Sequence, residues 1–158
     1  MTKGELAYNN FLKGYNCTQS ITAAFAQELD LDEKTAVRLS GGFGGGVGRL
    51  REICGTFSGI VIVVSALYGY SEPKDFDGKK ALYERIQYLA EKFREENGSI
   101  VCRELLGLEK AEGSAIPQER TPEYYKKRPC PELCRFAGDL LERYITENPP
   151  KNKVFQTN

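Results

Sequence analysis

Five cysteines, Cys17, Cys54, Cys102, Cys130 and Cys134, stand in a 158-residue chain that has no histidine. Without imidazole, the side chain that ordinarily titrates near neutrality and the commonest nitrogen ligand for metals are both missing. Special chemistry therefore falls to sulfur, whose thiolate form binds soft metals and clusters and attacks disulfides. The five positions are too scattered for a local zinc knuckle, whose ligands come in close pairs. Cys130 and Cys134, in CPELC, have the i, i+4 spacing that places two side chains on one helical face. They could present two ligands or two reacting thiols, and they do not form the C-x-x-C of a thioredoxin-like site.

Cys54 carries the sharpest signal. It heads CGTFSGIVIVV, a run predicted to be helical from that residue onward. A helix N-terminus offers unbonded N–H groups and the positive end of the helix dipole, both of which favour a thiolate. Arg49 and Arg51 lie just upstream. Cys54 is therefore the expected redox thiol if no metal is held. Cys17, after the candidate N-cap Asn16, has the same placement at a helix start. Gly55 and Gly59 are four apart on one face and, lacking Cβ atoms, would let a second helix or a bulky group approach closely.

Six glycines fall between Gly41 and Gly48. GGFGGGVG matches neither the dinucleotide fingerprint nor the P-loop, and no predicted strand precedes it, which argues against nucleotide binding. The run suits positive φ angles and tight packing, or a loop whose Gly44, Gly45 and Gly46 N–H groups surround an anionic cluster or ligand. Each cysteine also has a plain reading as a compact core residue.

The elements that must position these residues read as helices. Apolar spacing predicts a helix after Thr2, a second from Cys17 with Asn16 as N-cap, and a short third capped by Asp32. A long uncharged helix follows from about Cys54 to Tyr68. The clearest amphipathic pattern runs from Lys79 to Glu96, with Leu82, Ile86, Leu89, Ala90 and Phe93 on one stripe. Gly98 ends it, Ser99 is a candidate cap for a helix containing Cys102, and a last helix spans about Pro131 to Ile145. Residues 109–129, rich in charge, proline and glycine, read as a surface loop. No run alternates as a strand. The expected fold is all-α, one domain over residues 1–147 built as an irregular bundle of five to seven helices around a central apolar helix, with a frayed tail from 148 to 158.

Composition narrows the class further. Acidic and basic residues number 22 each, so no global field draws the chain to nucleic acid or anionic lipid. Ile53 to Tyr70 carries no charge, yet its glycines, serines and threonine fit a buried central helix better than a membrane span. The opening residues lack a secretory pattern, and a cytoplasmic location is the default, where cysteines serve metals or redox chemistry more often than structural disulfides.

The segment from Gly14-Tyr15-Asn16-Cys17 to Cys54-Gly55-Thr56-Phe57-Ser58-Gly59, with Cys102 in SIVCRELLG and Cys130 in RPCPEL, resembles the redox-active family named for its C…CGAxxG…C…C pattern. The likeness spans about Glu5 through Leu141, and Thr56 stands where the pattern has alanine. The same segment is similar to the non-haem part of split-Soret cytochromes, where cysteines hold an iron–sulfur cluster. The resemblance implies that Cys17, Cys54, Cys102 and Cys130 converge on a [2Fe–2S] centre, with Cys134 as alternate ligand, and that Gly55, Gly59 and the glycine loop approach it. Four thiolates are a sufficient set, and no haem-attachment motif can form without histidine. The leading expectation is an electron-transfer protein with a redox partner protein. A thiol–disulfide protein or sensor, in which no cofactor is held and Cys54 attacks, is the second. The third is a non-catalytic helical module, whose small-residue face could pair two copies into a homodimer.

Overall fold

A computed structural model describes residues 1–108 and 113–151, and the fold is all-α. Six helices of eight residues or more form an irregular bundle: α1 (Lys3–Leu12), α2 (Cys17–Ala24), α3 (Glu33–Ser40), α5 (Gly55–Tyr68), α6 (Phe76–Asn97) and α9 (Cys130–Glu147). Three shorter pieces, α4 (Gly44–Val47), α7 (Cys102–Leu105) and α8 (Pro122–Lys127), lie between them, and a 3₁₀ turn covers Gly41–Phe43. Of the segments expected to be loop and tail, residues 109–112 and 152–158 lie outside the described residues.

Local chemistry explains most boundaries. Thr2 and Asn16 each close a capping box, with Glu5 and Gln19 bonding back to the cap backbone. Asp32 caps α3 through the Thr35 N–H, and Gly98 ends α6 in the left-handed conformation. The helix at Cys102 departs from expectation. It is a single turn, its N-cap is Val101, and Ser99 instead accepts the Val101 N–H at 2.9 Å.

Helix α5 runs through the core, burying Phe57, Ile60, Val63 and Val64. It meets α6 and α9 through an aromatic chain, Phe57 to Phe93 at 5.9 Å between ring centres and Phe93 to Phe136 at 5.8 Å. Among the described residues no helix is long and apolar enough to cross a membrane. The first and last helices pack together at a crossing of small residues. A Cβ on Gly138 would lie 2.7 Å from the Gly4 Cα, and the Gly4 N–H donates to Asp139 Oδ1 at 3.0 Å.

One short antiparallel bridge, Ile53 with Val101, was not visible in the sequence pattern. It is flanked by Cys54 N–H to Ile100 O at 2.7 Å and Cys102 N–H to Glu52 O at 2.6 Å. These bonds clamp the entrances of α5 and α7 side by side.

Candidate functional site

The glycine run makes an unusual turn. Gly45, Gly46, Val47, Gly48 and Arg49 all have positive φ, between 56° and 70°, and Arg51 follows at 60°. Five successive residues in this region trace a left-handed turn, which costs an L-residue roughly 1–2 kcal/mol each and explains why glycine dominates the run. A Cβ on Gly44 would collide with the Asn16 side chain at 2.3 Å. The turn thus lies directly against the start of α2, and through Gly46 against Cys102.

Around this turn the chain closes a cavity of about 410 Å³. Cys17, Cys54, Cys102 and Cys130 all line it, together with Gly44, Gly45, Gly46 and Gly55. Four cysteines contributed by α2, the α5 entrance, α7 and α9 are therefore brought together. Cys134 is fully buried behind them. Its sulfur lies 3.8 Å from Thr56 Oγ1 and 4.0 Å from the Cys17 carbonyl oxygen. Gly55 permits this convergence, since a Cβ there would stand 2.7 Å from Thr18 Oγ1 and 3.1 Å from the Cys17 Cβ. The Thr18 hydroxyl donates to the Gly55 carbonyl at 2.8 Å and locks α2 to the head of α5.

Gly59 belongs elsewhere. A Cβ there would lie 2.6 Å from the Ile21 Cβ, so the close approach it allows is that of α2. It takes no part in the cavity wall, contrary to the expectation that it would face a cofactor; the helix, not a bound group, fills its face.

The sulfurs differ sharply in environment. All five are free thiols, and Cys17 alone is partly exposed, the other four being buried. The neighbouring Cys130 and Cys134 thiols hold the Cys17 pKa well below the ordinary thiol value, with smaller help from Thr56 and Arg120 against the opposing effect of burial. The price appears on the partners: the neighbouring Cys17 and burial push the Cys130 thiol up, and burial pushes Cys134 up. Cys54 reverses the expectation from its helix-start position. The Phe57 and Thr56 N–H groups do favour its thiolate, but burial and the nearby Cys17 charge outweigh them and push it up to about 12. Burial also raises Cys102, opposed by the Arg51 guanidinium, whose Nη1 is 3.8 Å from the Cys102 sulfur. The negative charge of the thiol group is thus centred on Cys17.

The remaining wall comes from the segment read as loop. Thr121 caps α8, whose first residue is Pro122. Arg120, Tyr124 and Arg128 line the cavity from this side, with the two guanidiniums 4.9 Å and 5.2 Å from the Tyr124 ring centre. Ser114 and Ile116 carbonyls accept from Arg49, which draws the preceding stretch over the cavity mouth. The sequence held little signal for this trio, because its placement depends on contacts with the α1 end. The i, i+4 spacing of Arg120, Tyr124 and Arg128 was the single cue.

The donor set can be tested against an iron–sulfur cluster. Four thiols of soft-ligand character on one cavity wall, glycines at 46 and 55 that let Cys102 and Cys17 pack close to the backbone there, and guanidiniums to balance anionic charge all fit such a group. Among the described residues no three or more His, Cys, Asp or Glu side chains are grouped to hold a metal ion. The four cysteines ring a cavity instead of converging on one point, as a single tetrahedral ion with sulfurs about 2.3 Å away would require.

No curated protein and no solved structure matches the chain. A family model does, over residues 15–144, a stretch that holds all five cysteines and the whole cavity wall apart from Phe11. The family's pattern sets glycine before the second cysteine, whereas here Gly55 follows Cys54. By its sequence the chain belongs to the family described as "Putative redox-active protein (C_GCAxxG_C_C)".

Proposed function

We propose that Cys17, Cys54, Cys102 and Cys130 together hold an iron–sulfur cluster and that the protein passes electrons to a partner protein. The observation that carries this reading is the lining of one cavity by four cysteines from four separated segments. When bound, such a cluster supplies a one-electron redox centre. The chain's own residues would set its properties. Arg51, beside the Cys102 sulfur, favours negative charge there, and the buried thiols keep the site out of water. The glycine turn lets backbone approach the sulfurs where a side chain would block them. A reducing compartment such as the cytoplasm suits five free thiols.

Iron and acid-labile sulfide per chain, measured with the visible spectrum after anaerobic purification or reconstitution, test this reading. The expected result is about two of each for a [2Fe–2S] centre, lost in Cys54→Ser and in Cys102→Ser. A protein that stays colourless and iron-free after reconstitution overturns it.

Cys17, whose thiolate is favoured, and Cys130 line the same cavity, which supports a second reading, thiol–disulfide exchange. The Cys17 thiolate would attack a disulfide of a partner, forming a mixed disulfide and expelling one partner thiolate. The Cys130 sulfur, losing its proton, would then attack Cys17 and release the second partner thiolate. Two electrons leave the protein and a Cys17–Cys130 disulfide remains. Mass spectrometry after mild oxidation finds that bridge if this reading is right.

A further inference from the structure

The wall facing the glycine turn has the chemistry of an anion site. Among the described residues none that lines the cavity is an aspartate or glutamate, while the Arg120 and Arg128 guanidiniums both lie close to the Tyr124 ring, 4.9 Å and 5.2 Å from its centre. Each guanidinium has five N–H donors. Arg120 gives two hydrogen bonds, to the Phe11 carbonyl at 3.2 Å and the Tyr15 carbonyl at 3.3 Å, and Arg128 gives one, to Gln118 Oε1. Neither forms an ion pair among the described residues. Several donors of each guanidinium are therefore uncommitted on the wall of a partly enclosed space.

That space is larger than the sulfur chemistry needs. A volume of about 410 Å³ falls in the range of roughly 300–1,000 Å³ typical of small-molecule pockets. A [2Fe–2S] core would add only four atoms beside the cysteines. Phe11, Leu105, Leu106 and Leu133 supply apolar surface within the same cavity. Paired guanidiniums next to an apolar surface match an organic anion, because the planar fork bonds a carboxylate or phosphate in bidentate fashion.

We infer that the cavity is also a substrate site for a small organic anion, its carboxylate or phosphate held by Arg120 and Arg128 and its apolar body lying beside the cysteines. This deepens the redox reading above by giving the sulfur site a bound molecule to act on.

The test uses the full chain, as purified and after reconstitution, titrated by calorimetry with benzoate, phenyl phosphate, inorganic phosphate and neutral benzamide at constant ionic strength. The expected result is one-to-one binding of benzoate or phenyl phosphate, at least about tenfold tighter than benzamide, with roughly tenfold weakening in Arg128→Gln and in Arg120→Gln. Preference for benzoate points to carboxylates and for phenyl phosphate to phosphates. Arg120 also clips the α1 end, so Arg128→Gln, whose one hydrogen bond goes to Gln118, is the decisive variant if Arg120→Gln unfolds. Charged probes binding no better than benzamide, or Arg128→Gln binding as well as wild type, overturn the inference. Iron and sulfide in the same samples keep the two readings apart. Anion binding without iron sinks the cluster and leaves this site standing. Loss of iron in Arg128→Gln, with no anion bound by the wild-type protein, shows that the arginines serve the cluster and sinks the anion site alone.

Discussion

A methyl group on Gly46 would stand 2.7 Å from the Cβ of Cys102 and 2.7 Å from the Arg51 Cα. Gly46 also has φ of 70°, so two independent constraints exclude a side chain there. Gly46→Ala is expected to destabilise the fold by about 2–4 kcal/mol, summing left-handed strain and overpacking. Thermal unfolding measures the loss, and faster alkylation of Cys102 in the folded variant would show that the turn holds this cysteine in place.

Val47 occupies the same left-handed turn at φ of 67° with a β-branched side chain that is 39% exposed. The larger part of the residue is buried, so Val47→Gly gives up packing and adds entropy to the unfolded chain while it relieves the strain. These effects nearly offset, and the expected Tm lies within about 4 °C of wild type; a loss beyond about 8 °C would contradict the strain assigned here.

Thiol reactivity should follow burial and charge and not helix position. Cys17, the one thiol that is partly exposed and with its thiolate favoured, is expected to react with iodoacetamide first and with little change in rate above neutral pH. Cys54, pushed up to about 12, should remain slow. Peptide mapping after a brief pulse tests the order.

The raised Cys54 value also fixes a sign for stability. An unfolded thiol loses its proton near its ordinary value of 9.0, whereas the folded one keeps it to about 12. Between those values the folded state binds more protons, so stability falls as pH rises through the window. At pH 10.5 the Cys54 contribution to this loss is on the order of 2 kcal/mol. Cys17, being lowered, contributes stability that is present above its unfolded value and lost as pH falls through its folded one. Urea unfolding at pH 7.5 and 10.5 should show a smaller drop in Cys54→Ala than in wild type.

Cys130 and Cys134 share a helix face but only Cys130 borders the cavity. If the cluster reading holds, Cys130→Ala loses iron after reconstitution while Cys134→Ala retains it and is less stable by about 1 kcal/mol. Equal iron loss in both would make Cys134 a ligand.

Much of this fold could be read in advance where a local device sets the structure. Asn16 with Gln19, Asp32 with Thr35, and the left-handed Gly98 bound their helices as their side chains dictate. The apolar stripe of Leu82, Leu89 and Phe93 announced α6, although that helix begins earlier, at Phe76. What escaped was set by tertiary contact. The Ile53–Val101 bridge joins segments with no alternating pattern, and α8 is a short exposed helix within a charged stretch. The Cys54 environment was misjudged for a definite reason. Its helix-end donors are local and legible, whereas the burial that outweighs them comes from the packed chain. Gly59 was legible in part: its missing side chain allowed a second helix or a bound group to come close, and only the packed chain shows that Ile21 of α2 fills the space.

The pairing of first helix with last has a temporal consequence. Gly4 and Asp139, whose bond joins α1 to α9, are 135 residues apart, and Cys17 and Cys134 are 117 apart. A ribosome adding about 5–20 residues per second leaves Cys17 waiting on the order of 6–25 s for its α9 neighbours to be made. During that interval its thiol lacks the neighbours that mark it out in the finished protein. The sulfur site thus cannot assemble before α9 has been made, however much of the bundle has already folded.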